Sequence, residues 1–176
     1  MRSALALATL LAAGLPVAAR SQSAAFESAR PVVSVNAGAF QFDLSGTGTA
    51  PMIAGRAELP INRYFLAEGG LLVARPEQQF GAKSTFLAPE VQLQAQAPLA
   101  DGRIAPYLGM GVGLAMDLRN SRFGGNRTDP TVSGATGVRY WLTEALGLRA
   151  ELRVRGVGSG FAGSAAEWTL GTSWRL

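Results

Sequence analysis

Leu148-Arg149-Ala150-Glu151-Leu152-Arg153-Val154-Arg155-Gly156 alternates residue by residue between apolar and charged side chains. Successive side chains of an extended chain point to opposite faces, so this stretch reads as a two-faced β-strand. Leu148, Ala150, Leu152 and Val154 form one face, and Arg149, Glu151, Arg153 and Arg155 the other. A soluble sheet buries the first face and wets the second. A membrane barrel turns the first to lipid and encloses the second. The rest of the fold depends on which of these holds.

The bulk of the sequence narrows the choice. Its 176 residues suit one domain. It contains no cysteine and no histidine, which removes disulfides, thiolate chemistry, the commonest metal ligand and the commonest general base. No cofactor is expected. Lys83 is the single lysine among 16 basic residues. Solvated surfaces use lysine freely, whereas arginine suits paired or buried charge. The basic residues form no cluster interleaved with aromatics, so no nucleic-acid partner is expected.

The first residues read as an export segment. Arg2 precedes the apolar run Ala4–Gly14, and Val17-Ala18-Ala19 offers small residues for cleavage after Ala19, with Ser23 as the alternative. The run is shorter than the ~20 residues a spanning helix needs. Residues 1–19 are thus expected to be a signal peptide, 20–30 a short lead-in, and 31–176 a single β-barrel.

Alternation recurs along the rest of the chain with turn signals between segments, which predicts eight strands. Their expected spans are 32–44, 52–59, 64–75, 85–99, 104–118, 131–142, 146–157 and 165–176. In the first, the apolar phase shifts near Gly38, from Val33 and Val35 to Phe40, which predicts a bulge. Short connections follow strands two, four and six, and longer ones follow one, three, five and seven, the longest being 119–129. Short turns at one end and longer loops at the other are the pattern of outer-membrane barrels.

Four features put the charges inside. Gly109, Gly111 and Gly113 occupy the polar face of the fifth strand, where a narrow lumen needs room. Arg56, Arg139, Arg149, Arg153, Arg155 and Arg175 balance Glu58, Glu68, Glu90, Glu151, Glu167 and Asp117, as a closed ion-pair network requires. Tyr64, Phe65, Tyr107, Tyr140, Trp141, Trp168 and Trp174 lie towards strand ends, which predicts aromatic girdles. The last strand alternates Trp168, Leu170, Thr172, Trp174 and Leu176 with polar residues. Arg139 and Arg149 should face each other across the Thr143 turn. A carboxylate is expected between them, from Glu151, or from Glu90 or Glu68 across the lumen. Arg153 should fall near Glu167.

The eight-strand rhythm, the segment Pro106-Tyr107-Leu108-Gly109-Met110-Gly111-Val112-Gly113-Leu114 and the terminal E-W-T-L-G-T-S-W-R-L (residues 167–176) resemble small outer-membrane β-barrel proteins of the OmpA/OmpX type. The resemblance covers about residues 30–176. It implies an all-β fold, an eight-stranded antiparallel up-and-down transmembrane β-barrel with a polar, side-chain-filled lumen, in the bacterial outer membrane. It also implies outer-membrane lipids as surroundings, the barrel-assembly machinery as a partner read through the C-terminal strand, and a monomer. That terminal signal usually ends in Phe; here Leu176 stands in its place.

Barrel enzymes of similar architecture, the lipid A acyltransferases and deacylases, phospholipases and omptin proteases, each rely on a histidine that this chain lacks. Gly158-Ser159-Gly160-Phe161-Ala162-Gly163 matches a dinucleotide-binding pattern but precedes a strand rather than a helix. The expected function is therefore non-enzymatic, either structural or displaying surface loops. The alternatives are a narrow channel through the outer membrane and a soluble periplasmic lipocalin-like barrel.

Overall fold

The computed structural model describes residues 30–42, 48–75, 84–119, 127–158, 160 and 163–176. The expected export segment, the lead-in up to residue 29 and most of the 119–129 loop lie outside these residues. The described chain forms eight strands: β1 (Val32–Phe42), β2 (Thr49–Pro60), β3 (Phe65–Ala74), β4 (Ser84–Gln96), β5 (Ile104–Arg119), β6 (Arg127–Trp141), β7 (Leu146–Val157) and β8 (Gly163–Arg175). Each pairs antiparallel with its neighbours in sequence, and β1 pairs with β8, closing the barrel. Closure leaves no unpaired edge in the sheet.

The short connections lie at one end, here the turn end, together with the start of β1 and the end of β8. Between β4 and β5, Ala100, Asp101 and Gly102 all adopt positive φ (49°, 55° and 83°). Leu99 and Ile104 form an isolated bridge just before this tip, so β4 itself ends at Gln96, short of the expected Leu99. Between β6 and β7, the Thr143 hydroxyl accepts from the backbone N–H groups of Ala145 and Leu146 at 3.3 and 2.9 Å. The Asn62 side chain does the same for Tyr64 and Phe65, at 2.8 and 2.9 Å, before β3. These side-chain-to-backbone bonds are what favours Asn and Thr in tight turns.

In the stretch quoted above, Leu148 and Val154 are 45% and 47% exposed, whereas Arg149 and Arg155 are 1% exposed. The charges are inside. Ile53, Val91, Met110 and Leu170 likewise stand outward on their strands. An apolar exterior around a charged interior is the inverse of a soluble barrel, and it suits lipid.

The structure corrects the expected bulge and the expected aromatic girdle. There is no bulge at Gly38: β1 keeps an unbroken register with β2 and with β8. Phe40 therefore shares the inward phase of Ser34 and Asn36, and it is fully buried. It belongs to an apolar layer that fills the loop end of the lumen, with Met52, Leu72, Phe86 and Val157. Its ring lies 4.8 Å from that of Phe86, tilted by 34°. The girdle is also smaller than expected. Tyr64, Phe65, Tyr140 and Trp174 are exposed near the turn end, but Tyr107 and Trp141 point into the lumen. Trp168 is exposed on the outer wall, opposite Ala39 and Leu152.

Trimming the apolar layer should be felt. Phe40→Leu is expected to lower stability by about 1 kcal/mol through lost packing against Phe86. The check is the urea-unfolding midpoint of the barrel folded in detergent.

Candidate functional site

Below the apolar layer, the lumen holds a continuous network of ion pairs. Its carboxylates come mainly from one wall: Glu58 on β2, Glu68 on β3 and Glu90 on β4. Its cations come mainly from the opposite wall: Arg139 on β6 and Arg149, Arg153 and Arg155 on β7. Arg56 on β2, Glu151 on β7 and Glu167 on β8 complete it. All ten side chains are buried.

Arg149 is the centre of the network. Its guanidinium lies 2.5 Å from Glu58, 2.6 Å from Glu68 and 2.6 Å from Glu151. Arg139 and Arg149 face each other across the β6–β7 register, as like charges should not unless a counter-charge lies between them. The bridging carboxylate is Glu58, which also meets Arg139 at 2.6 Å. Glu151 and Glu68 reach Arg149 but are not the bridge, and Glu90 lies with Arg153 and Arg155 instead. Towards the loop end, Arg155 joins Glu90 at 2.5 Å and Glu167 at 2.9 Å. Arg153 and Glu167 are register partners, yet their charged groups are 3.9 Å apart, because Arg153 is shared among Glu68, Glu90 and Glu151. Arg56 ties Glu68 to Glu151 at 3.0 and 2.9 Å.

Neutral residues complete the network. The Tyr107 hydroxyl donates to Glu151 at 2.7 Å and accepts from Arg149 Nε at 2.8 Å. Its ring centroid lies 5.4 Å from the Arg139 guanidinium and 5.0 Å from that of Arg149. The Gln94 amide donates to Glu68 at 2.7 Å. The β5 glycines make room for this. A Cβ at Gly109 would collide with the Gln92 amide, and one at Gly111 would lie 3.0 Å from Glu90 Oε1.

Arg175 stands apart from the network in which its sequence pattern placed it. Its guanidinium stacks 3.7 Å above the Trp141 ring at the turn end and donates to the Glu144 carbonyl at 3.2 Å. Of the terminal-strand residues, Trp168, Leu170, Trp174 and Leu176 are exposed on the outer wall, and Thr172 is half-buried between them.

Chemically, the lumen is a closed charge lattice. Every carboxylate in it touches at least one guanidinium, so each buried charge has the partner it needs. Among the described residues, no group of His, Cys, Asp and Glu could hold a metal ion. The site's less legible members were Tyr107, read as a girdle residue, and the apolar layer of Phe40 and Phe86. The usable signal was phase: Phe86 falls in step with Glu90 and Gln92, and Phe40 with Asn36.

The comparisons with known proteins agree with this geometry. A family described as the outer membrane protein beta-barrel domain matches residues 5–175. No curated protein matches the sequence. Among solved structures, Neisserial surface protein A (NspA) is similar, with a TM-score of 0.71 at 15% identity, covering 83% of this chain and 97% of that one. Ail, the attachment invasion locus protein of Yersinia pestis, gives a TM-score of 0.60 at 15% identity, covering 84% and 98%. The N-terminal β-barrel domain of Pseudomonas aeruginosa OprF gives 0.53 at 17% identity, covering 82% and 97%. At these identities the likeness is one of fold.

Proposed function

The chain belongs to the outer membrane protein beta-barrel domain family of the bacterial outer membrane, and on that premise we propose that it is a non-enzymatic integral barrel. It anchors and displays the longer loops of its outer end. The observation that carries this reading is the filled lumen. Ten interlocked charged side chains and an apolar layer occupy the path that a solute would take. An eight-stranded barrel has an interior just wide enough for such filling. The absence of histidine from the whole sequence removes the general base on which barrel enzymes of similar architecture depend.

In this reading residues 1–19 are removed on export. The outer-wall residues Trp168, Leu170, Thr172, Trp174 and Leu176 carry the signal read by the barrel-assembly machinery. The short turns face the periplasm, and the opposite mouth, where β5 ends at Arg119 and β6 begins at Arg127, faces outward. The protein acts as a monomer, because its closed sheet offers no strand edge.

Two measurements test it together. In planar bilayers the folded protein is expected to give no steady conductance. An epitope inserted after Gly124 is expected to bind antibody on intact cells. A sustained open current would assign the lumen to a channel instead. An epitope reached only after outer-membrane permeabilisation would reverse the orientation and remove the display role.

A further inference from the structure

The turn end holds a feature that neither the network nor loop display uses. A vestibule of about 1060 Å³ opens there, walled by the three short turns. Arg30, Arg63, Arg103, Arg139 and Arg175 line it, against two carboxylates, Asp101 and Glu144. Arg139 is already committed to Glu58. Among the described residues, no carboxylate pairs with the other four arginines.

Two of these arginines are held in place by aromatic rings. Arg175 stacks on Trp141, and Arg63 lies 5.5 Å over the Tyr64 ring. Stacking orients a guanidinium fork while leaving N–H groups for a ligand. A second observation lies in the vestibule floor. Arg139 is 2% exposed, and its Nε–H has no acceptor among the described residues. A buried donor left without a partner is costly, and Arg139 belongs to the lining of the vestibule that an oxyanion would enter. Arginine forks match the geometry of phosphate oxygens bidentately.

We propose that this vestibule is a binding site for a phosphate group. The exposed ring of Tyr64, Phe65, Tyr140 and Trp174 sets the turn end at headgroup depth. A soluble phosphate compound and an inner-leaflet phospholipid headgroup therefore both reach its mouth. The shared chemistry is the phosphate oxyanion. Asp101 and Glu144 oppose it, so the affinity is modest and falls with added salt.

The test is calorimetric titration of the mature chain folded in a sugar-headed detergent, which carries no phosphate. Inorganic pyrophosphate is the soluble probe and short-chain phosphatidylglycerol the lipid probe. Saturable binding of phosphatidylglycerol alone makes the ligand a headgroup, and binding of pyrophosphate makes it a soluble phosphate. The double variant R63Q/R103Q changes only turn residues and is expected to weaken binding at least about tenfold. R127Q, at the opposite mouth, is expected to bind as the parent does. Heat-modifiable gel migration confirms that each variant is folded. No saturable binding of either probe, or equal affinity in R63Q/R103Q, would overturn the proposal. Neither result bears on the filled lumen, which conductance tests separately.

Discussion

Replacing Arg149 by methionine is expected to destabilise the folded barrel by about 3–5 kcal/mol, read as a fall in its urea-unfolding midpoint in detergent. The side chain is 1% exposed and meets Glu58, Glu68 and Glu151 within 2.6 Å. Methionine fills much of the same volume, so the loss is electrostatic rather than a cavity. Three buried carboxylates would lose a shared cation, and breaking a buried pair costs far more than forming it gains. Glu58 would keep Arg139, and Glu151 would keep Arg56 and Arg153.

That redundancy makes the test sharper. In R149M/E68Q every remaining charge still has a partner, because Arg56 and Arg153 both reach Glu151. The double variant is expected to recover about 1–3 kcal/mol relative to the sum of the single losses. Additive losses would show that Arg149 and Glu68 do not interact, and the network as described would be wrong.

The second large effect lies in the seam that closes the barrel. Gly38→Leu is expected to abolish the compact, heat-modifiable form. Gly38 pairs with Thr169 on β8 and with Met52 on β2. A Cβ there would strike the Trp168 carbonyl and lie 2.9 Å from Thr169 Cα. Both obstacles are backbone, so no rotamer change relieves the clash. The strand must move off its neighbour, and the hydrogen bonds that close the sheet move with it. Overpacking in a core costs typically about 1–3 kcal/mol, and here loss of closure adds to it. Ala37→Leu, one position away on the outer wall, is expected to fold normally, since its side chain meets lipid. A folded Gly38→Leu barrel would show that the seam tolerates separation at this point.

Much of this architecture was legible residue by residue. Arg149 to Arg155 point inward and Leu148 to Val154 outward, as their alternation implies, because the two-residue period of a strand is local. The number of strands and the short turns at one end came from the same local pattern. Phe40 shows its limit. An apolar side chain satisfies a lipid-facing wall or a packed lumen layer equally well. Its hydrophobicity therefore signalled a bulge where the chain simply continued its phase. Arg175 shows another limit. It has the inward phase of a network residue, but its strand carries it to the turn end, where it stacks on Trp141 and bonds the Glu144 carbonyl instead of joining the ion pairs.

By itself, the sequence determined an eight-stranded barrel with charge enclosed and apolar surface outside, since alternation and charge balance are local and additive properties. Only the tertiary structure decided which charge meets which. Glu58 and Arg149 are 91 residues apart, and they meet because strand tilt and register stagger bring them to one level across the lumen. The tertiary structure also gathered into one vestibule four arginines, from separate turns and strand ends, that form no ion pair with a carboxylate among the described residues. No local pattern encodes either result, because both follow from where closure of the sheet sets each strand relative to the others.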